Sequence, residues 1–204
     1  MTLSNEHLER IERLTRHGRR ALLGLVGPPG AGKSTVAAAL VDAMKGRAQL
    51  LPMDGFHLAQ VELERLGRAQ RKGAPDTFDS EGFVALLERV RGQRDEIVYA
   101  PEFRREIEEP IAGAIALLPQ TPLVVAEGNY LLLDDGPWAK VRALLDEVWY
   151  IDVDDELRRR RLVERHRRFG RSEQEARAWV ESTDEPNARL IAKGRAKADV
   201  VIST

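Results

Sequence analysis

The sequence predicts an α/β fold in which helices cover both faces of a parallel sheet. Three observations support this: short apolar runs, segments of helical periodicity between them, and their regular alternation along the chain. The apolar runs cover residues 21–26, 49–53, 123–126, 148–153 and 199–202. Continuous runs of this length are typical of strands buried on both faces. Their alternation with helices indicates right-handed βαβ units.

Apolar residues spaced three and four apart predict the helices between these runs. The groups are Leu8, Ile11 and Leu14; Val36, Leu40 and Val41; Leu58, Val61 and Leu66; and Phe83, Leu86, Leu87 and Val90. Two more helical stretches, about 155–168 and 172–192, follow the fourth run and are separated at Gly170. Residues 95–120 stay open, because 97–99 look extended whereas 111–118 fit either a strand or a helix.

Length and composition favour one domain over residues 1–204, since single domains commonly have about 100–200 residues. The absence of cysteine excludes a disulfide framework and a thiol nucleophile. With 32 Lys and Arg against 33 Asp and Glu, no basic surface for nucleic acid is expected. The longest apolar run, 111–118, is shorter than the about 20 residues of a membrane span. We expect a cytoplasmic protein without nucleic-acid or membrane partners, in an oligomeric state that the sequence leaves open.

Residues 27–35 contain a phosphate-binding loop between the first apolar run and the next helix. They fit the pattern G-x-x-x-x-G-K-[ST], and they are Gly27, Pro28, Pro29, Gly30, Ala31, Gly32, Lys33, Ser34 and Thr35. Glycines let the backbone fold around a phosphate, and the helix N-terminus favours an anion. Because Pro28 and Pro29 lack N–H groups, the amide donors must begin at Gly30. Lys33 is expected at the β- and γ-phosphates of a nucleotide and the Ser34 hydroxyl at Mg²⁺.

Two carboxylates follow strand-like runs, where open parallel sheets bind their ligands. Asp54 follows the second run and Glu127 follows the third. A hydroxyl group that is phosphorylated needs an acceptor for its proton, and Mg²⁺ needs oxygen ligands. We assign Asp54 as a base that also orients the substrate, and Glu127 as a ligand of metal-bound water or of a substrate hydroxyl. The alternative for either acid is a cap of the next helix or turn, and the position of Asp54 before Gly55 suits an N-cap.

Residues 157–171 contain eight arginines, and Arg158, Arg161, Arg165 and Arg168 share one stripe of the predicted helix. Three interpretations are open. The charges can form a solvated helix face, they can bind nucleic acid, or they can form a mobile lid whose guanidinium groups bind the transferred phosphate. The position after the fourth strand and the break at Gly170 favour a lid at about 157–171.

Several motifs occur together in a characteristic order. After the phosphate loop come DGFH at 54–57, RKGAPDTFD at 71–79, EGNYLL at 127–132, DEPNA at 184–188 and ADVVI at 198–202. From about residue 20 onward, the chain resembles the family of uridine kinase, phosphoribulokinase and bacterial-type pantothenate kinase. Within that family, it is most similar to the fructose transport system kinase-like branch.

This resemblance implies a three-layer α/β/α fold of the P-loop NTPases, with a five-stranded parallel sheet of order 2-3-1-4-5 and a helical lid. It implies ATP and Mg²⁺ as cofactors and a small-molecule partner, a nucleoside, sugar or pantothenate-like compound, that is phosphorylated on a hydroxyl. The implied catalytic residues are Lys33, Asp54, Arg161 and Arg165. Arg171 is implied at the nucleotide, and Ser34 and Glu127 at the metal. The implied acceptor pocket contains Asp54, His57, Arg71, Lys72, Phe78, Tyr99, Arg105, Glu127 and Tyr130.

The chain departs from the family at residues 101–104, where Pro-Glu-Phe-Arg lacks the acid that usually ends this segment. A sugar or nucleoside contact from that position is therefore not expected. Arg104 and Arg105 suit an anionic acceptor, or form a surface pair balanced by neighbouring glutamates.

Other nucleotide-binding functions fit less well. A GTPase is disfavoured because no N-K-x-D motif occurs, and a nucleoside monophosphate kinase because DGFH follows the second strand rather than the third. A regulatory ATPase without a small-molecule acceptor remains the alternative.

Overall fold

Seven strands and eight α-helices make up the computed structural model, which describes residues 3–16, 18–92 and 95–204. The strands are β1 (Ala21–Val26), β2 (Ala48–Pro52), β3 (Val98–Arg104), β4 (Glu109–Leu117), β5 (Leu123–Gly128), β6 (Glu147–Asp152) and β7 (Val200–Ser203). The helices are α1 (Asn5–Thr15), α2 (Lys33–Ala43), α3 (Gln60–Arg65), α4 (Ser80–Gly92), α5 (Val141–Leu144), α6 (Asp155–Arg168), α7 (Glu173–Trp179) and α8 (Glu185–Ala192).

Five strands form a parallel sheet of order β2-β5-β1-β6-β7. Counted along the chain, these five strands have the order 2-3-1-4-5, which confirms the order that the resemblance implied. All five apolar runs coincide with these strands to within two residues at either end. The phosphate loop therefore follows the central strand, β1, at the carboxyl edge of the sheet.

Two apolar layers cover the two faces of this sheet. Side chains of β1 alternate between them: Leu22 and Val26 pack with α4, whereas Leu23 and Leu25 pack with α1 and α2. Every residue of β1 is buried, as a strand in the middle of three layers requires. The predicted three-layer architecture is confirmed.

The open segment 95–120 forms an antiparallel hairpin of β3 and β4, separate from the main sheet. β3 packs closely on the 3₁₀ turn Met53–Phe56. The approach is so close that a Cβ at Gly55 would lie only 2.3 Å from the carbonyl oxygen of Pro101. Glycine at position 55 therefore lets the hairpin approach the end of β2. This contact brings the hairpin loop close to Asp54.

The prediction that Leu58, Val61 and Leu66 form the buried face of one helix was wrong. Only Gln60–Arg65 is helical; Val61 is 74% exposed, and Leu63 is buried instead. The amide of Leu58 donates to the Thr77 carbonyl, so Leu58 precedes the helix in a non-helical pairing. Within the described ranges, no helix is both long enough and apolar enough to cross a membrane.

Candidate active site

A cleft of about 850 Å³ opens at the carboxyl ends of β1, β2 and β5. The phosphate loop, the 3₁₀ turn after β2 and the end of β5 contribute to its wall, together with α6 and the β3–β4 hairpin. Fifteen residues that the sequence analysis singled out line it: Pro29, Gly30, Gly32, Lys33, Ser34, Thr35, Asp54, His57, Lys72, Phe78, Arg105, Glu127, Arg161, Arg165 and Arg171.

The phosphate loop depends on glycine at two positions. Gly30 and Gly32 have φ values of +80° and +92°, which side-chain-bearing residues rarely adopt. A Cβ at Gly30 would also lie 2.9 Å from Leu162, so α6 packs directly against the loop. Gly27, Pro28 and Ala31 belong to the same loop but do not line the cleft.

Lys33 begins α2 and is nearly buried, with 8% of its surface exposed. Its Nζ donates to the carbonyl oxygens of Gly27 and Pro28, and to Oδ1 of Asn129 at 2.7 Å. Burial lowers the pKa of Lys33, and the negative charges of Glu127 and Asp54 oppose that shift. Asn129 belongs to the EGNYLL motif but had no predicted role; its position two residues after Glu127 was the available signal.

The two strand-end carboxylates lie on the same side of β1 in the sheet order, Glu127 at the end of the neighbouring strand β5 and Asp54 after the edge strand β2. Ser34 Oγ donates to Glu127 Oε2 at 3.3 Å, and burial raises the pKa of Glu127 against the opposing effect of Lys33. Asp54 Oδ2 lies 3.3 Å from Arg105 Nη2. The alternative role of Asp54 as a helix N-cap is wrong, because Pro52 precedes the 3₁₀ turn and Ala59 precedes α3.

The predicted arginine stripe has three different environments. Arg161 and Arg165 line the cleft, and Arg161 Nη1 lies 3.5 Å from the Gly30 carbonyl oxygen. Burial and the charge of Arg105 lower the pKa of Arg165. Arg158 is buried and pairs with Glu185, whereas Arg168 is exposed outside the cleft wall.

Arg171 extends from the end of α6 into a small network. Its guanidinium stacks 3.8 Å from the centre of the Trp179 ring and hydrogen-bonds to His166 Nδ1 at 3.2 Å. His166 Nε2 lies 2.8 Å from Asp184 Oδ2. His166, Trp179 and Asp184 had no predicted role, although the DEPNA motif begins at Asp184.

Three residues that the resemblance implied for the acceptor pocket lie outside the cleft wall. Arg71 is exposed and pairs with Asp76 instead. Tyr99 is 55% exposed on the hairpin, because its neighbours Val98 and Ala100 take the buried face of β3. Tyr130 is buried; its hydroxyl donates to the Gly73 carbonyl, and burial raises its pKa.

Glu185 anchors α8 to α6. It pairs with Arg158, whose side chain is 1% exposed, and with Arg159 at 2.9 Å. Burial favours a higher pKa for Glu185, but the hydrogen bonds from Arg159 and Arg158 outweigh it and lower the pKa. This carboxylate therefore stabilises the fold above its unfolded pKa of about 4.3, and the contribution is lost as the pH falls through the folded pKa.

We expect Glu185→Gln to lower the free energy of unfolding by about 3 kcal/mol at pH 7, since it leaves the buried Arg158 paired only with the exposed Asp155. Urea denaturation measures this. The matched control is Glu173→Gln, which breaks an exposed pair with Arg177 and should cost below about 1 kcal/mol. Equal losses in the two variants would contradict the anchoring role.

The chain is similar to several proteins that are named as kinases. A "putative uridine kinase" of Schizosaccharomyces pombe is 34% identical over 209 residues, covering 97% of this chain and 89% of the relative. An "ATP-dependent kinase-like protein" of Aspergillus versicolor is 38% identical over 152 residues, covering 70% and 88%. The crystal structure of a "putative fructose transport system kinase" from Silicibacter sp. TM1040 is 38% identical, with a TM-score of 0.90 over 99% of each chain. No protein-family model matches the chain.

Proposed function

The chain belongs to the uridine kinase-like family of ATP-dependent P-loop kinases, and from this premise we propose that it transfers the γ-phosphoryl group of ATP to a hydroxyl group of a small metabolite. One observation carries the proposal: the phosphate loop with Lys33 shares a single cleft with the strand-end carboxylates Asp54 and Glu127. The phosphate loop binds a nucleotide, and the two carboxylates supply groups for proton transfer and metal binding.

On the nucleotide side, the amides from Gly30 onward and Lys33 bind the phosphates. Ser34 and Glu127 present a hydroxyl and a carboxylate within hydrogen-bond distance of each other, and such hard oxygen ligands fit Mg²⁺. These two residues would hold the ion, Glu127 directly or through water. Bound Mg²⁺ neutralises charge on the β- and γ-phosphates.

On the acceptor side, Asp54 accepts the proton of the attacking hydroxyl. The acceptor oxygen forms a bond to the γ-phosphorus while the bond from that phosphorus to the bridging oxygen of ADP breaks. The proton remains on Asp54 until it passes to solvent. Arg105, 3.3 Å from Asp54, orients the carboxylate for this step.

We propose that Arg161 and Arg165 form a lid that acts on the transition state. Removal of either guanidinium should lower kcat with little change in ATP affinity, because the contact to the γ-phosphoryl oxygens strengthens as charge develops. Two arginines share the effect, so each loss should be smaller than the about 10³–10⁵-fold of a single arginine finger.

Single-turnover transfer by Arg161→Ala and Arg165→Ala measures this effect. Arg160→Ala is the control, since Arg160 is exposed on the same helix and does not line the cleft. Unchanged transfer in both variants, or a loss of ATP affinity at constant kcat, would rule out the lid.

An acceptor screen tests the proposed function as a whole. The protein is incubated with ATP, Mg²⁺ and single compounds from panels of nucleosides, sugars and hydroxy acids, and ADP formation is recorded. We expect one chemical class to stimulate ADP formation many-fold. Turnover that is indifferent to every compound but responds to a protein partner would support a regulatory ATPase instead.

A further inference from the structure

The acceptor end of the cleft carries two cations that the phosphate loop does not explain. We call Asp54, His57, Lys72, Phe103 and Arg105 the acceptor wall; all five line the cleft. They come from the turn after β2, the segment before α4 and the β3–β4 hairpin, whereas the nucleotide side is built by the loop and α6. The acceptor wall is therefore separate from the nucleotide side of the cleft.

Lys72 is the first of these cations. Its Nζ donates to the carbonyl oxygen of Glu108 at 2.5 Å and lies 5.3 Å from the centre of the Phe103 ring. Neither partner is negatively charged, and no ion pair joins Lys72 to a carboxylate among the described residues. Its positive charge is therefore not neutralised within the wall.

Arg105 is the second cation, and its only ion pair in the described part of the chain is with Asp54. The proposed function assigns Asp54 to the hydroxyl of the acceptor, so the same carboxylate serves two groups. Burial is the main cause that lowers the pKa of Arg165, and the charge of Arg105 lowers it further. The two guanidinium groups therefore lie near each other in the cleft. Like charges at such a site repel and favour a bound anion.

Glu64 and Glu108 also line the cleft, but neither forms an ion pair with Lys72 or Arg105 among the described residues. Glu64 accepts a hydrogen bond from Gln60 Nε2, and the charge of Glu108 acts on Arg165. Lys72 therefore has no paired carboxylate, and Arg105 shares Asp54 with the acceptor hydroxyl. Arg104, the neighbour of Arg105, is exposed and pairs with Glu102 outside the cleft.

His57 adds a hydrogen-bond acceptor to the same wall. Its ring lies between those of Phe78 and Phe103, at centroid distances of 4.0 Å and 4.6 Å. Nδ1 lies 2.7 Å from the carbonyl oxygen of Asp54, so Nδ1 carries the hydrogen and donates it. Burial lowers the pKa of His57, so the ring is neutral at pH 7 and Nε2 is a hydrogen-bond acceptor. An acceptor nitrogen pairs with a hydrogen-bond donor such as a hydroxyl group, not with a carboxylate.

We infer that the acceptor is a small polyhydroxylated anion. One hydroxyl binds to Asp54 and is phosphorylated, a second donates to His57, and a carboxylate or phosphate group binds to Arg105 and Lys72. This inference rests on the proposed function, since it names the class of compound that the kinase phosphorylates.

Matched sets of compounds test it: glycerol, glycerate and glycerol 3-phosphate, then glucose, gluconate and glucose 6-phosphate, with uridine as a further neutral compound. In each productive set, kcat/KM of an anionic member should exceed that of the neutral one by about 10- to 100-fold, the usual effect of a hydrogen bond to a charged group. The carboxylate and phosphate members show which anion is bound. Preference for glycerol, glucose or uridine would overturn the inference while leaving the kinase proposal intact.

Arg105→Gln and Lys72→Gln separate the anion site from the rest of the cleft. Each should raise KM for the anionic compound about 10- to 100-fold and leave KM for ATP unchanged. Arg104→Gln is the matched control and should behave like the parent. If Arg105→Gln and Arg104→Gln give the same KM for the acceptor, the inference is wrong.

If none of the compounds accepts phosphate, binding measurements test the anion site instead. The same sets are titrated by calorimetry into protein saturated with MgADP. Tighter binding of an anionic member, lost in Arg105→Gln, would support the anion site although the transfer proposal fails. Equal affinity for neutral and anionic members would overturn the inference.

Discussion

Lys33→Ala should reduce kcat by at least about 10²–10³-fold, the typical loss when one donor to the developing charge is removed. Lys33 is the cation at the base of the phosphate loop, and its Nζ already lies among carbonyl oxygens of that loop. Alanine removes the charge without adding volume, so the protein should remain folded. Initial rates and circular dichroism measure the two quantities on the same sample.

The control for Lys33→Ala is Lys193→Ala, which removes an exposed lysine that follows α8 and does not line the cleft. It should retain the rate of the parent. A folded Lys33→Ala protein with the kcat of the parent would eliminate the phosphate loop as the nucleotide site.

Asp54→Asn should lower phosphoryl transfer by about 10²–10⁴-fold, the usual contribution of a positioned base. Asparagine keeps the shape of the side chain but does not accept the proton of the attacking hydroxyl. ATP should bind with nearly the affinity of the parent, because the nucleotide contacts come from the phosphate loop. Single-turnover transfer at saturating acceptor and ATP titration provide the two readouts.

Asp76→Asn is the matched control, since Asp76 pairs with Arg71 outside the cleft wall. Its transfer rate should equal that of the parent. Transfer by Asp54→Asn within a few-fold of the parent would remove Asp54 from proton transfer and leave it only an orienting role.

The sequence predicted the elements whose physical requirements are local. A strand buried on both faces needs a continuous apolar run, and residues 21–26 satisfy this over all of β1. The phosphate loop needs glycines and a lysine at fixed spacing, which Gly27 to Ser34 supply. The hairpin was undecided because the exposed residues of β4 are mostly small, and their pattern gives no amphipathic period.

Long-range pairings account for most of what the sequence did not predict. Lys33 pairs with Asn129, which is 96 positions away along the chain. Arg158 pairs with Glu185, which is 27 positions away. Tyr99 was misplaced because the side chains of a strand alternate between faces, and the face of Tyr99 depends on how the hairpin packs. Nothing in local spacing specifies such contacts.

Turnover in H₂¹⁸O tests the kinase proposal most directly. The protein is incubated with ATP, Mg²⁺ and a fraction of cellular metabolites, and all phosphorylated products are analysed by mass spectrometry. We predict a new phosphate ester without solvent ¹⁸O, formed in equal amount to ADP, because the attacking oxygen belongs to the metabolite. Inorganic phosphate that contains one ¹⁸O and accounts for all the ADP would contradict the proposal, since water would then be the only acceptor.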